Sequence, residues 1–165
     1  MKKVIILTGV SGVGKTYART TDPELRDLPY VDIADVYREF PEFHWDQAIR
    51  ACLKRVRKAL ERHETIVIEG YFLPGTRTRQ WLLGDLKVAG VHNVEVRNMW
   101  APFEVCQGRI AAQFEREEIS AAECRLRLGM LRECWRPKDP LTRDDVTWEE
   151  LERGYSEHEP DQSGT

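Results

Sequence analysis

The chain has 165 residues, 32% charged and 41% hydrophobic, with a formal net charge of −3. That is ordinary for one globular domain with a sizeable core, and it excludes a disordered or fibrous chain. No apolar run approaches the 18 or so residues a membrane span needs, so a cytoplasmic protein with no membrane partner is expected.

The first predicted element is a buried strand over Lys3–Thr8, built on Val4-Ile5-Ile6-Leu7. It runs directly into Gly9-Val10-Ser11-Gly12-Val13-Gly14-Lys15-Thr16, a complete G-x-x-x-x-G-K-[ST] motif. Glycines at Gly9, Gly12 and Gly14 let the backbone curl so that the N–H groups of Ser11, Val13 and their neighbours point at phosphate oxygens. The helix that follows adds the positive end of its dipole. Lys15 would reach the β- and γ-phosphates, and the Thr16 hydroxyl would ligate Mg²⁺. A strand before the motif is the context that a P-loop requires, so a bound nucleoside triphosphate is expected.

The helix opened by the loop ends before Pro23, and a second strand is expected at Leu28–Ile33. A helical turn follows at Asp35–Phe40, stopped by Pro41. A long amphipathic helix is expected over His44–His63, with Trp45, Ala48, Ile49, Cys52, Val56 and Leu60 on one face. Its other face carries Arg50, Lys54, Arg57 and Lys58, which reads either as a solvated surface or as a nucleic-acid contact.

A third strand, Thr65–Glu69, ends on an acid. A helix over Thr76–Ala89 and a fourth strand near Val94–Trp100 come next. Pro102 marks the start of a helix running to Glu115. Ser120 and Glu123 form an S-x-x-E capping box for a last helix that stops at Trp135, with an apolar seam of Cys124, Leu128, Leu131 and Trp135. Beyond Pro140 a short edge strand at Asp145–Trp148, or a helical turn at Trp148–Leu151, is expected. Strands alternating with helices predict a three-layer α/β/α P-loop NTPase with a central parallel sheet and a helical lid. Residues 1–150 would form the single domain, with the lid at about 109–136 and a flexible acidic tail at 151–165.

Cys52, Cys106, Cys124 and Cys134 show neither C-x-x-C nor zinc spacing and are expected reduced and packed. Of the 28 acidic and 25 basic residues, eight acidic and one basic lie from Asp144 onward. Residues 1–143 therefore carry +4 and the remainder −7. A mildly basic body suits a polyanionic partner.

Within the P-loop class, the absence of an N-K-x-D guanine-reading motif argues against a GTPase, and the length argues against a motor domain. A small kinase remains. Such an enzyme needs a carboxylate to take the acceptor's proton and a cation near the acceptor. Asp35 and Arg38, three apart, would present both on one helical face, or would form a surface ion pair. Glu69, at the end of a buried strand, would assist the metal or hydrogen-bond Thr16. Arg109, Arg116, Arg125, Arg127, Arg132 and Arg136 follow the fourth strand, and two or three of them are expected to meet nucleotide or substrate.

Four features resemble the polynucleotide 5′-kinase group of P-loop kinases: Met1–Leu7 with its loop, Asp32-Ile33-Ala34-Asp35-Val36-Tyr37-Arg38, Glu104-Val105-Cys106-Gln107-Gly108-Arg109 before the lid, and Arg116 spaced eleven residues from Arg127. The resemblance covers about residues 1–135. It implies ATP and Mg²⁺, with Asp35 as general base, Arg38 on the acceptor side, and Arg116 and Arg127 as lid arginines. Asp32 or Glu69 would join Thr16 at the metal. The implied acceptor is a hydroxyl on nucleic acid, at a 5′ end or on a hydroxymethylated base. Two alternatives stay open: a kinase for a nucleoside, sugar or antibiotic, and a regulatory ATPase. The purine preference and the oligomeric state are not specified by the sequence.

Overall fold

The computed structural model describes residues 1–72 and 76–137, and the backbone of 144–145. The expected helical turn at 148–151 and the acidic tail at 151–165 lie outside the described residues.

Strands β1 (Lys3–Thr8), β2 (Tyr30–Asp32), β3 (Thr65–Gly70) and β4 (Asn93–Asn98) are mutually parallel in the order β2-β3-β1-β4. The two-residue β5 (Asp144–Asp145) pairs antiparallel with β4 at the edge. The central strands β1 and β3 are buried on both faces, which is why each reads as an unbroken apolar run. The strand period of two sends alternate residues to opposite faces. Val4, Ile6, Ile66, Ile68, Val94 and Val96 join the larger core. Ile5, Leu7 and Val67 pack on the other face with Leu25.

The larger core is closed by helix α3 (Trp45–Arg62), through Ala48, Ile49, Cys52, Val56 and Leu60, and by helix α4 (Arg77–Val88), through Leu82, Leu83 and Leu86. Helix α1 (Lys15–Thr21) leaves the phosphate loop, and α2 (Ile33–Glu39) leaves β2. Helices α5 (Phe103–Glu115) and α6 (Ala121–Cys134) share a separate small core of Cys106, Ile110, Ile119, Cys124 and Leu131 with Val10 and Val13 of the loop.

The predicted elements occur in the predicted order with ends shifted by up to two residues, and of the edge strand expected at Asp145–Trp148, residues 146–148 lie outside the described residues. The second strand is Tyr30–Asp32 rather than Leu28–Ile33, because Asp32 caps the next helix: its Oδ1 accepts from the Ala34 N–H at 2.9 Å. All four cysteines are free thiols, three of them buried. Among the described residues no helix is long and apolar enough to cross a membrane.

Candidate active site

In an open parallel sheet, ligands gather at the carboxyl ends of the strands where the strand order reverses. Here that point is the end of β1, which continues into the phosphate loop. Gly12 and Gly14 sit at φ +81° and +103°, left-handed backbone that favours glycine. A Cβ on Gly12 would lie 2.5 Å from the Cys106 carbonyl oxygen, so the loop is seated against the first turns of α5. Within the loop, the Lys15 ammonium donates to the Gly9 carbonyl and to the Val10 carbonyl at 3.2 Å. Burial lowers its pKa to about 8, although Glu69 and Asp32 favour the charged form.

The sheet register sets two carboxylates side by side. Asp32 of β2 pairs with Glu69 of β3, so both side chains leave the same face at the strand ends. Each is buried. Glu69 accepts from the Thr16 hydroxyl through one oxygen and from Arg19 Nε at 2.8 Å through the other. The Arg19 guanidinium also lies over the Tyr30 ring at 3.5 Å. Burial, reinforced by Glu69, pushes the Asp32 carboxyl up to about 6. The Thr16–Glu69 bond realises one of the two roles the sequence allowed for Glu69. Arg19 was not singled out from the sequence. Its only signal was its place one helical turn beyond Lys15 and Thr16.

A cavity of about 1010 Å³ opens over this floor. Its lining contains the whole loop from Gly9 to Thr16 together with Asp32, Glu69, Arg38, Arg109, Arg116 and Arg127. Arg109 donates to the Gly12 carbonyl at 3.2 Å and the Val13 carbonyl at 2.9 Å. Arg127 is held by Gln113 Oε1 at 3.0 Å and Glu123 Oε1 at 2.8 Å, and Arg116 by Glu118 at 2.8 Å. The same Glu123 oxygen accepts from Arg38 Nε at 3.2 Å, which ties α2 to α6 across the cavity. Ser120 does cap α6, accepting from the Glu123 N–H at 3.1 Å, but the Glu123 carboxylate goes to the two arginines.

Asp35 is absent from the cavity lining, although Arg38, whose Nη1 it holds at 2.9 Å, is part of it. Asp35 lines a second groove of about 480 Å³, with Asp32, Arg55, Lys58, Arg62 and His63. Of the expected basic face of α3, Lys58 lines this second groove and Arg57 pairs with Asp85 at 3.3 Å. Arg50, Lys54, Arg57 and Lys58 are all absent from the lining of the large cavity. Arg125, Arg132 and Arg136 are exposed and also lie outside it.

No protein-family model and no curated protein matches this sequence. Solved structures do. A protein of Chloroflexus aurantiacus, provisionally named a kinase, is 18% identical with a TM-score of 0.58, over 76% of this chain and 74% of that one. A gluconokinase of Sinorhizobium meliloti is 14% identical with a TM-score of 0.53, over 93% and 90% of the two chains. A sugar kinase of a Janibacter species is 17% identical at the same TM-score, over 95% and 92%. At such identities the likeness shows the fold alone, a central parallel sheet between layers of helices.

Proposed function

We propose that this protein is an ATP-dependent phosphotransferase that phosphorylates a hydroxyl group of a small molecule. The observation that carries the reading is the convergence in one cavity of a complete phosphate loop, a buried carboxylate pair and the arginines Arg38, Arg109, Arg116 and Arg127. At about 1010 Å³ the cavity stands at the upper end of small-ligand sites, enough for a nucleotide and a compact acceptor. The gluconokinase and the sugar kinase, by their names, act on molecules of that size. The basic face of α3 that would follow a nucleic-acid backbone lies outside the cavity, so the polynucleotide acceptor of the sequence resemblance has no support from this geometry.

Lys15 and the loop amides would hold the triphosphate. The Thr16 hydroxyl and the Glu69 carboxylate are hard oxygen donors beside that seat, and the neighbouring Asp32 carboxylate adds negative charge that favours a cation without ligating it. These residues fit Mg²⁺, which is commonly bound through one or two carboxylates and the phosphates. Bound there, it would neutralise charge on the β- and γ-phosphates.

The acceptor oxygen bonds to the γ-phosphorus while its proton passes to a carboxylate. The bond from the γ-phosphorus to the β–γ bridging oxygen breaks, and ADP leaves with the electron pair. We assign the proton to Asp32, which lines the cavity, in place of Asp35. Arg116 and Arg127 would meet the negative charge as a lid.

The test is nucleotide binding and γ-labelled ATP turnover in the parent and in Lys15→Ala. Loss of this one cation should lower turnover by roughly 10²–10³. A Lys15→Ala protein that binds and turns over ATP like the parent would sink the assignment.

A further inference from the structure

The cavity has two apolar surfaces that the phosphate loop does not supply. One is the α2–α3 segment, which contributes Tyr37, Pro41 and Trp45. The other is α6, which contributes Leu126 and Met130. Tyr37 and Trp45 are stacked, with ring centroids 5.7 Å apart and planes 22° from parallel. Trp45 is anchored by its indole N–H, which donates to Thr78 Oγ1 at 3.1 Å. Opposite, Leu126 is 52% exposed although it lines the cavity, a degree of exposure that an apolar ligand would relieve. These are flat and aliphatic surfaces, and the polar groups beside them, Arg38 and Glu123, are already bonded to protein partners.

The charges beside these surfaces are already paired. Arg38 sits between Asp35 and Glu123, at 2.9 Å and 3.2 Å. Glu123 also holds Arg127 at 2.8 Å. Once Arg127 turns to the triphosphate, two carboxylates remain on the one Arg38 guanidinium. An anionic acceptor would have to displace one of them and would then face it at close range. An uncharged acceptor meets no such competition.

We infer that the acceptor is an uncharged alcohol carried on a planar, apolar body. The inference rests on the kinase reading above and names the substrate class of that site. The transfer is the one already written, from ATP to the hydroxyl oxygen, with the proton going to Asp32.

The test uses γ-labelled ATP and acceptors that separate charge from shape. Thymidine and benzyl alcohol are neutral and aromatic. Thymidine 3′-monophosphate and a 5′-hydroxyl oligothymidylate add charge to the same body. Glucose and gluconate lack the planar aromatic ring. Thymidine, benzyl alcohol or both should exceed glucose and gluconate in kcat/KM by at least about tenfold. Where thymidine is the acceptor, its 3′-phosphate should cost a similar factor.

Two variants locate the effect. Leu126→Glu, at an exposed position that tolerates substitution, should raise KM for the aromatic acceptor while the KM for ATP stays put. Glu123→Gln should narrow the gap between thymidine and its 3′-phosphate, or let an anionic alcohol in where benzyl alcohol is the acceptor. Preference for gluconate, the 3′-phosphate or the oligonucleotide overturns the inference but leaves the kinase reading intact. Failure of both thymidine and benzyl alcohol, with Lys15-dependent ATP turnover present, overturns it as well. Loss of Lys15 dependence defeats the kinase reading instead.

Discussion

Asp32 and Glu69 are adjacent in register, buried and alike in charge, yet they are held differently. Glu69 receives a hydroxyl and a guanidinium, whereas Asp32 receives one backbone N–H and is pushed up to about 6 by burial and by its neighbour. A carboxyl raised above its ordinary value binds its proton more tightly in the folded chain than in the unfolded one. The fold therefore loses stability as pH rises from about 4 to about 6, and the loss is complete above that. Asp32→Asn keeps the cap on Ala34 and removes the charge. It should raise the Tm of the Mg²⁺-free, ligand-free protein at pH 8, by roughly 2–4 °C for each kcal/mol recovered, and leave it nearly unchanged at about pH 3, below the unfolded value. The same variant should lower phosphoryl transfer by roughly 10²–10⁴, while Asp35→Asn stays within about tenfold of the parent. The reverse ranking in a transfer assay would return the base to Asp35. The sequence showed an acid near an arginine after the second strand, but not which acid. That choice is made by where β2 stops and by its register on β3, a long-range pairing that residue spacing does not encode.

At the level of elements, α6 shows what local pattern contains and what it lacks. Its cap, its length and its seam were legible, because Ser120 and the apolar spacing act within a few residues of chain. The use of Glu123 was not, since a capping box and a bridge between Arg38 and Arg127 look the same in sequence. Six arginines lie between the fourth strand and Pro137, and the faces of α5 and α6 divide them. Arg109, Arg116 and Arg127 line the cavity, whereas Arg125, Arg132 and Arg136 face solvent. In the proposed reaction Arg127 would leave Glu123 and Gln113 for a charge that grows in the transition state. Arg127→Ala should then lower kcat by about 10² or more, with ATP affinity changed by no more than a few-fold. Arg132→Ala should match the parent. Equal activity of Arg127→Ala and the parent in steady-state turnover would remove α6 from the chemistry. An ATP analogue should also slow amide hydrogen exchange across 116–136 as the segment closes.

Over the whole molecule, the alternation of strands and helices was enough to give the layered fold, because two buried central strands and their crossovers leave few arrangements. The acceptor was not legible, since its pocket joins Tyr37 and Trp45 to Leu126 and Met130, some eighty residues away in the chain. Net charge was a poor guide for a related reason. The +4 of residues 1–143 suited a polyanion, but much of that positive charge is met by acids close at hand. Arg97 alone holds Glu95, Asp22 and Glu24 at 2.6–3.0 Å. Arg57 and Arg55 on α3 are paired with Asp85 and Glu39. A polymer bound through free cations releases counterions, and its affinity falls with salt at a log–log slope of roughly −0.7 to −0.9 for each phosphate contact. A compact acceptor buried between α2 and α6 releases few. The KM for the acceptor should therefore vary less than about twofold between 50 and 300 mM salt, with ATP and Mg²⁺ saturating. Neutralising Lys54 and Lys58 together should leave it unmoved, because neither side chain reaches the cavity. A steep salt slope that this double substitution flattens would place the acceptor along α3, outside the cavity, and restore a nucleic-acid chain as the substrate.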